Sequence, residues 1–168
     1  GCANSSPGTP ILNKPVWVLD TNVVLDLLHF DDAATRPMRR ALEDERVRCV
    51  ATDATLDEWR RVLAYPEFGL TANRQAALFA HYQALSVRTA CGEADGLKPV
   101  GFRMPRCSDP DDQKFIELAA AARAQGLVSK DRAVLRLRRR CAPDFQIMTP
   151  AEAVRWLCDV SEDYAAET

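Results

Sequence analysis

Two short apolar runs, Val16–Leu19 and the pair Leu127 and Val128, are each followed within three residues by an aspartate, Asp20 and Asp131. Runs this short and this apolar read as buried strands. Further strand-length runs lie at 47–51, 86–89 and 145–148, and helical patterns fill the intervals. Strands alternating with helices predict an α/β fold with a central, mostly parallel β-sheet and helices on both faces. In open sheets of this kind, functional side chains gather at the carboxyl ends of the strands. Both aspartates are expected there.

The intervals carry their own start and stop signals. Thr21 or Asn22 is expected to cap a helix bearing Val23, Val24, Leu27 and Leu28. A second helix is read over 33–44, and a third, capped by Thr52 or Asp53, runs to about Ala64 and ends before Pro66. The stretch 71–85 places Ala77, Leu78, Tyr82 and Leu85 on one face. Asp109-Pro110-Asp111-Asp112 opens a helix through Ala124 that Gly126 stops, while 90–107 has Gly and Pro but little periodicity and reads as a loop. Helices over 132–140 and 150–158 complete the pattern. Residues 1–14, rich in Ser, Pro, Asn and Gly, read as a disordered lead. Residues 15–160 form a single domain, and 161–168 a short tail.

Four acids stand next to predicted strand ends or helix starts: Asp20 in LDTN, Glu58 in LDEW, Asp112 in DPDD and Asp131 in SKD. Each has a plain alternative role. Asp109 at N-cap, Pro110 at N1 and Asp112 at N3 would make an ordinary helix start, with carboxylates favourably placed against the helix dipole. Asp57 and Glu58 are neighbours on one helix and cannot share a face. Taken together, though, four carboxylates gathered at one sheet end repel each other by roughly 3 kcal/mol per pair at about 5 Å and an effective dielectric of about 20. A cation offsets that cost, and an all-oxygen donor set suits Mg²⁺ or Mn²⁺. Such ions can stabilise both the attacking and the leaving oxygen in phosphodiester cleavage. Asn22 and Ser129 are the nearby polar groups fit to orient a water, a ligand or a phosphate.

Composition narrows the function further. The six cysteines contain no C-x-x-C pair and are joined by only two histidines, which argues against zinc and for reduced thiols in a cytoplasmic protein. No apolar stretch approaches the ~18 residues of a membrane span. Residues 1–15 show neither a basic region nor an apolar core, so no signal peptide is expected. The formal net charge of −2 becomes +2 once the four acids are set aside. Basic residues also cluster at Lys130, Arg132, Arg136, Arg138, Arg139 and Arg140, a stretch able to meet a phosphate backbone. The competing role for that stretch is a solvated amphipathic helix burying Val134, Leu135 and Leu137.

Five segments in order, VLDTNVVLDLL, ATLDEWRRVLAYPEF, DPDDQKFIELAAAA, LVSKDRAVL and IMTPAEAVRWL, give the chain a resemblance to PIN-domain proteins over Val16 to Leu157. It is most similar to the branch described as toxin components of toxin–antitoxin systems. The resemblance implies a three-layer PIN-like fold and metal-dependent hydrolysis of single-stranded RNA. It assigns Asp20, Glu58, Asp112 and Asp131 as catalytic metal ligands, with Asp109 as a neighbour; the residues themselves offer Asn22 and Ser129 behind them and Lys130, Arg132, Arg136 and Arg139 for the RNA backbone. It further implies an antitoxin partner that covers the site, and a homodimer. One departure is SKD where the family more often has Thr-x-Asp; Ser129 keeps the hydroxyl.

Two other readings compete with the ribonuclease. One is a PIN-like module that binds RNA or protein with little turnover, against which the retention of all four acids argues. The other is an aspartyl phosphatase, but Asp20-Thr21-Asn22 lacks the second acid two residues on.

Overall fold

The computed structural model describes residues 14–90 and 104–167, with side chains as far as residue 160. All but the last residue of the predicted lead at 1–14 and most of the predicted loop at 90–107 lie outside the described residues. Five strands, β1 (Val16–Leu19), β2 (Arg48–Ala51), β3 (Ser86–Arg88), β4 (Gly126–Val128) and β5 (Gln146–Met148), form one sheet in the order β3-β2-β1-β4-β5. All four pairings are parallel. The chain steps outward from β1 to β2 and β3, then returns to β4 on the other side of β1. The order therefore reverses between β1 and β4, and in open sheets the crevice for a ligand lies above the carboxyl ends at such a reversal.

Alternation along the strands builds the two other layers. Trp17 and Leu19 of β1 face one way, with Cys49, Ala51, Val128 and Met148, into a core closed by α1 (Thr21–Val24), α2 (Arg36–Glu43), α3 (Asp53–Leu63), α4 (Ala72–Leu85) and α8 (Pro150–Glu167). Val18, Val50, Leu127 and Ile147 face the other way, against α5 (Gln113–Ala121), α6 (Arg132–Leu135) and α7 (Arg138–Cys141). The three-layer α/β architecture expected from the sequence is the one observed. Among the described residues no helix is long and apolar enough to cross a membrane. Cys49, Cys107, Cys141 and Cys158 are free thiols.

Several local expectations are corrected. The first helix is capped neither by Thr21 nor by Asn22: Asp20 occupies the extended N-cap position, and the chain passes from α1 into a wider π-type turn over Leu25–His29. The helix expected from Asp109 to Ala124 begins as a tight 3₁₀ turn, Pro110–Asp112, and only then becomes α5. Gly126 does not stop it. Arg123 takes the left-handed conformation there, with φ of 52°, and Gly126 belongs to β4. Its requirement is space: a Cβ at Gly126 would lie 2.5 Å from Met148 Cε and 3.2 Å from Trp17 Cδ1. The stretch 132–140 divides into α6 and α7, and the last helix continues past 158 to Glu167. Ala77, assigned to the apolar face of α4, is exposed, whereas Leu78 and Tyr82 are buried.

Candidate metal centre at the carboxyl end of the sheet

The crevice is lined by residues that local capping chemistry places there. Beyond β1, Asp20 N–H continues the ladder to Val128 O at 2.9 Å, which fixes the backbone of Asp20 beside the end of β4. Its carboxylate makes no capping bond to α1. Instead Ser129 Oγ, just past β4, donates to Asp20 Oδ2 at 2.6 Å. The same Ser129 oxygen accepts from Asp131 N–H at 3.0 Å. Asp131 in turn caps α6, with Oδ1 accepting from Ala133 N–H at 2.8 Å. One oxygen of Asp131 is thus spent on the helix start, leaving the other for the crevice.

The third strand of the site comes from the turn before α5. Asp109 caps it through Oδ1, which accepts from Asp111 N–H at 3.0 Å. Asp112, at the end of that turn, is buried, and its Oδ2 has no hydrogen-bond partner among the described residues. Carboxylate oxygens of Asp109, Asp112 and Asp131 lie within 4.8 Å of one another. Asp109, expected to stand behind the ligands, is therefore both a cap and a member of the tightest oxygen cluster.

Crowding raises the proton affinity of these acids. Burial, a hydrogen bond shared with Asp131, and the charges of Asp20, Asp131 and Asp109 push Asp112 up to about 8. Burial pushes Asp20 up to about 6, with the Glu58 and Asp131 charges adding to it and the Ser129 hydrogen bond opposing it. A buried carboxylate oxygen with no donor and a neighbourhood of like charge fit a hard divalent cation. The donor set is all oxygen, as Mg²⁺ or Mn²⁺ requires.

Glu58 is placed from α3, whose Thr52–Thr55 capping box fixes the helix start. Asp57 is exposed and Glu58 half-buried, so of these two neighbours Glu58 is the one turned inward. Thr21 Oγ1 donates to Glu58 Oε2, and Lys114 Nζ lies 2.5 Å from Glu58 Oε1. Glu58 thus reaches the site next to Asp20 but outside the tight oxygen cluster. Asn22 Oδ1 is buried without a hydrogen-bond partner among the described residues.

The basic stretch is partly committed elsewhere. Lys130 Nζ is held 2.7 Å from Asp26 Oδ2. Arg138 forks onto Glu152, at 3.2 and 2.6 Å. Arg132, the first residue of α6, and Arg136, just past its end, are exposed. Arg139 is exposed too, but lines with Arg138, Arg155 and Trp156 a cavity of about 640 Å³ that none of the four acids borders. Val134 and Leu137 are buried and Leu135 half-buried, as an amphipathic stretch requires. Sequence reasoning missed Lys114 and Asp26. The only local signal for Lys114 is a cation two residues after a candidate ligand, and Asp26 carries no signal at all.

A family model described as PIN domain matches residues 16–133. Among solved structures, the crystal structure of VapBC2 from Rickettsia felis bound to a DNA fragment from their promoter is similar, with a TM-score of 0.53 and 10% sequence identity. The match covers 80% of this chain and 98% of that one. At that identity the likeness concerns the fold. No curated protein matches the chain.

Proposed function

The chain belongs to the PIN-domain family, and on that premise we propose that it is a Mg²⁺- or Mn²⁺-dependent endoribonuclease acting on single-stranded RNA. The observation that carries this reading is the convergence of Asp109, Asp112 and Asp131 oxygens within 4.8 Å at the strand-order reversal, beside Asp20. Asp20, Glu58, Asp112 and Asp131 are the metal ligands and catalytic acids, with Asp109 adding an oxygen to the set. A divalent ion held by these acids would supply positive charge opposite the phosphodiester and the acidity needed to activate a water.

The chain's own residues do the positioning. Ser129 orients Asp20 through Oδ2 and fixes the backbone of Asp131, so one hydroxyl sets the spacing of two acids. Thr21 fixes Glu58 in the same way. Asn22 offers its buried amide oxygen to a water or a ligand. Lys130, Arg132, Arg136 and Arg139 contribute the cationic surface along which the RNA backbone lies, through contacts that weaken with salt.

The similarity to a VapBC2 structure favours a toxin of a toxin–antitoxin pair, with an antitoxin as partner. A homodimer completes that reading. The free cysteines among the described residues support a reducing compartment such as the cytoplasm.

The test is cleavage of a labelled single-stranded RNA in Mn²⁺, in Mg²⁺ and in EDTA, by wild type and by Asp20→Asn. Metal-dependent cutting lost in Asp20→Asn is the expected result. RNA retained in a mobility-shift assay without any cutting would favour the binding module instead.

A further inference from the structure

The metal reading leaves one charged group of the site without a task. Lys114 lies in the first turn of α5, two residues after Asp112, and its side chain is 21% exposed. Its ammonium donates to the Asp111 carbonyl at 2.7 Å and lies 2.5 Å from Glu58 Oε1. Glu58 is itself pinned on its far side by Thr21. The ammonium also lies over the buried Phe115 ring, 5.5 Å from its centroid. An ammonium has three N–H donors, so one remains after these two contacts among the described residues.

Resting on the ribonuclease reading above, we propose that Lys114 is a substrate-contacting residue whose remaining donor meets a non-bridging phosphate oxygen of the RNA, with Glu58 and Asp111 as its anchors. The charge of the site calls for such a group. Asp20, Glu58, Asp109, Asp112 and Asp131 crowd one end of the sheet with negative charge, and the substrate brings a further negative charge at every phosphate. A cation held in place before the substrate arrives costs no reordering on binding. The two lysines near the acids differ in this respect. Lys130 rests on Asp26 with 47% of its side chain exposed, whereas Lys114 is tethered twice and is less than half as exposed. Its position is also slaved to the turn that carries Asp112, so a phosphate held by Lys114 is held in register with the acid cluster.

The experiment compares wild type, Lys114→Gln and Lys114→Arg for steady-state cleavage of a labelled single-stranded RNA in Mn²⁺ at several salt concentrations. Binding of the same RNA in EDTA is followed in parallel by anisotropy, and melting curves are recorded with and without Mn²⁺. Loss of one charge-assisted contact should raise KM about tenfold in Lys114→Gln with little change in kcat. The dependence of log affinity on log salt should flatten by about 0.7. Lys114→Arg should recover most of both, and the Mn²⁺-induced rise in melting temperature should persist in all three proteins. Equal KM and equal salt dependence in wild type and Lys114→Gln would overturn the inference while leaving the ribonuclease reading intact. A Lys114→Gln protein that melts early, loses its Mn²⁺ response and is not rescued by Arg would overturn it in favour of a structural counter-ion. Wild type that neither cuts nor binds RNA would overturn both.

Discussion

Ser129 Oγ and Asp20 Oδ2, 109 residues apart in sequence, are 2.6 Å apart across the ends of β4 and β1. Because the same hydroxyl accepts from Asp131 N–H, it couples acids that lie beyond the ends of two different strands. Ser129→Ala removes a donor from a buried carboxylate and an acceptor from a backbone amide at once. Supporting contacts of this kind are worth about 10–100-fold in metal affinity or activity. The expected outcome is a loss of that size in Mn²⁺-dependent cleavage with the fold retained by circular dichroism. Unchanged activity would show that Asp20 keeps its orientation without Ser129.

Divalent ions should raise the melting temperature of the wild type, because an ion that binds only the folded state stabilises it by mass action. At a free concentration about 100 times Kd the gain is about 2.7 kcal/mol. Asp20→Asn combined with Asp112→Asn should blunt that response while raising the melting point in EDTA, since two buried carboxylates no longer repel their neighbours. Scanning calorimetry with Mn²⁺, Mg²⁺ and EDTA reads both effects. A wild-type curve indifferent to either ion would count against a formed metal site.

In EDTA the acids also dictate how stability follows pH. Asp20 titrates near 6 and Asp112 near 8 in the folded chain, against about 3.9 for an unfolded aspartate. Both folded values are raised, so the folded state binds these protons more tightly than the unfolded chain does. Their contribution is complete below about pH 4 and is lost as the pH climbs through the folded values. Between about pH 5 and about pH 8, thermal melts of the chelated protein should therefore shift downward. Mn²⁺ should restore more stability at the upper end. A melting point that rises over that window in EDTA would contradict the crowding of these carboxylates.

Gly126 offers a test of packing that leaves the chemistry aside. A methyl group there meets Met148 Cε at 2.5 Å and the Trp17 ring at 3.2 Å. The methionine end can swing away, but Trp17 is fully buried and packs edge-on against Trp156 with centroids 5.6 Å apart. Gly126→Ala should cost about 1–3 kcal/mol by overpacking, read as a lowered urea midpoint at unchanged slope. Wild-type stability would mean that β4 shifts freely against β1.

The helix starts were legible in the chain because capping is local. Thr52 with Thr55, Thr71 ahead of α4 and Asp109 ahead of Pro110 each satisfy amides within three residues. The same local logic erred at Thr21 and Asn22, where the polar residue before them took the N-cap position and sent its carboxylate elsewhere. It erred again at Gly126, where a glycine next to a helix end looked like a stop. Its true neighbours, Trp17 and Met148, are distant in sequence, and no local pattern names them.

By itself the sequence determined the strands and most of the helices between them, since apolar runs, periodicity and caps act over a few residues; it set Asp20, Asp112 and Asp131 at element ends, whereas Glu58 lies in the middle of α3. It also determined that the sheet would be parallel, because helical crossovers separate the strands. Only the tertiary structure decided which oxygens meet. The β1–β4 register, with Leu19 opposite Val128, sets Asp20 beside Ser129. The turn before α5 adds Asp109 to Asp112 and Asp131. The packing of α5 near α3 brings Lys114 to Glu58. These distances depend on how strands pair and on how helices lie across them. Both are properties of long-range packing, in which one residue of slip carries a side chain to the opposite face.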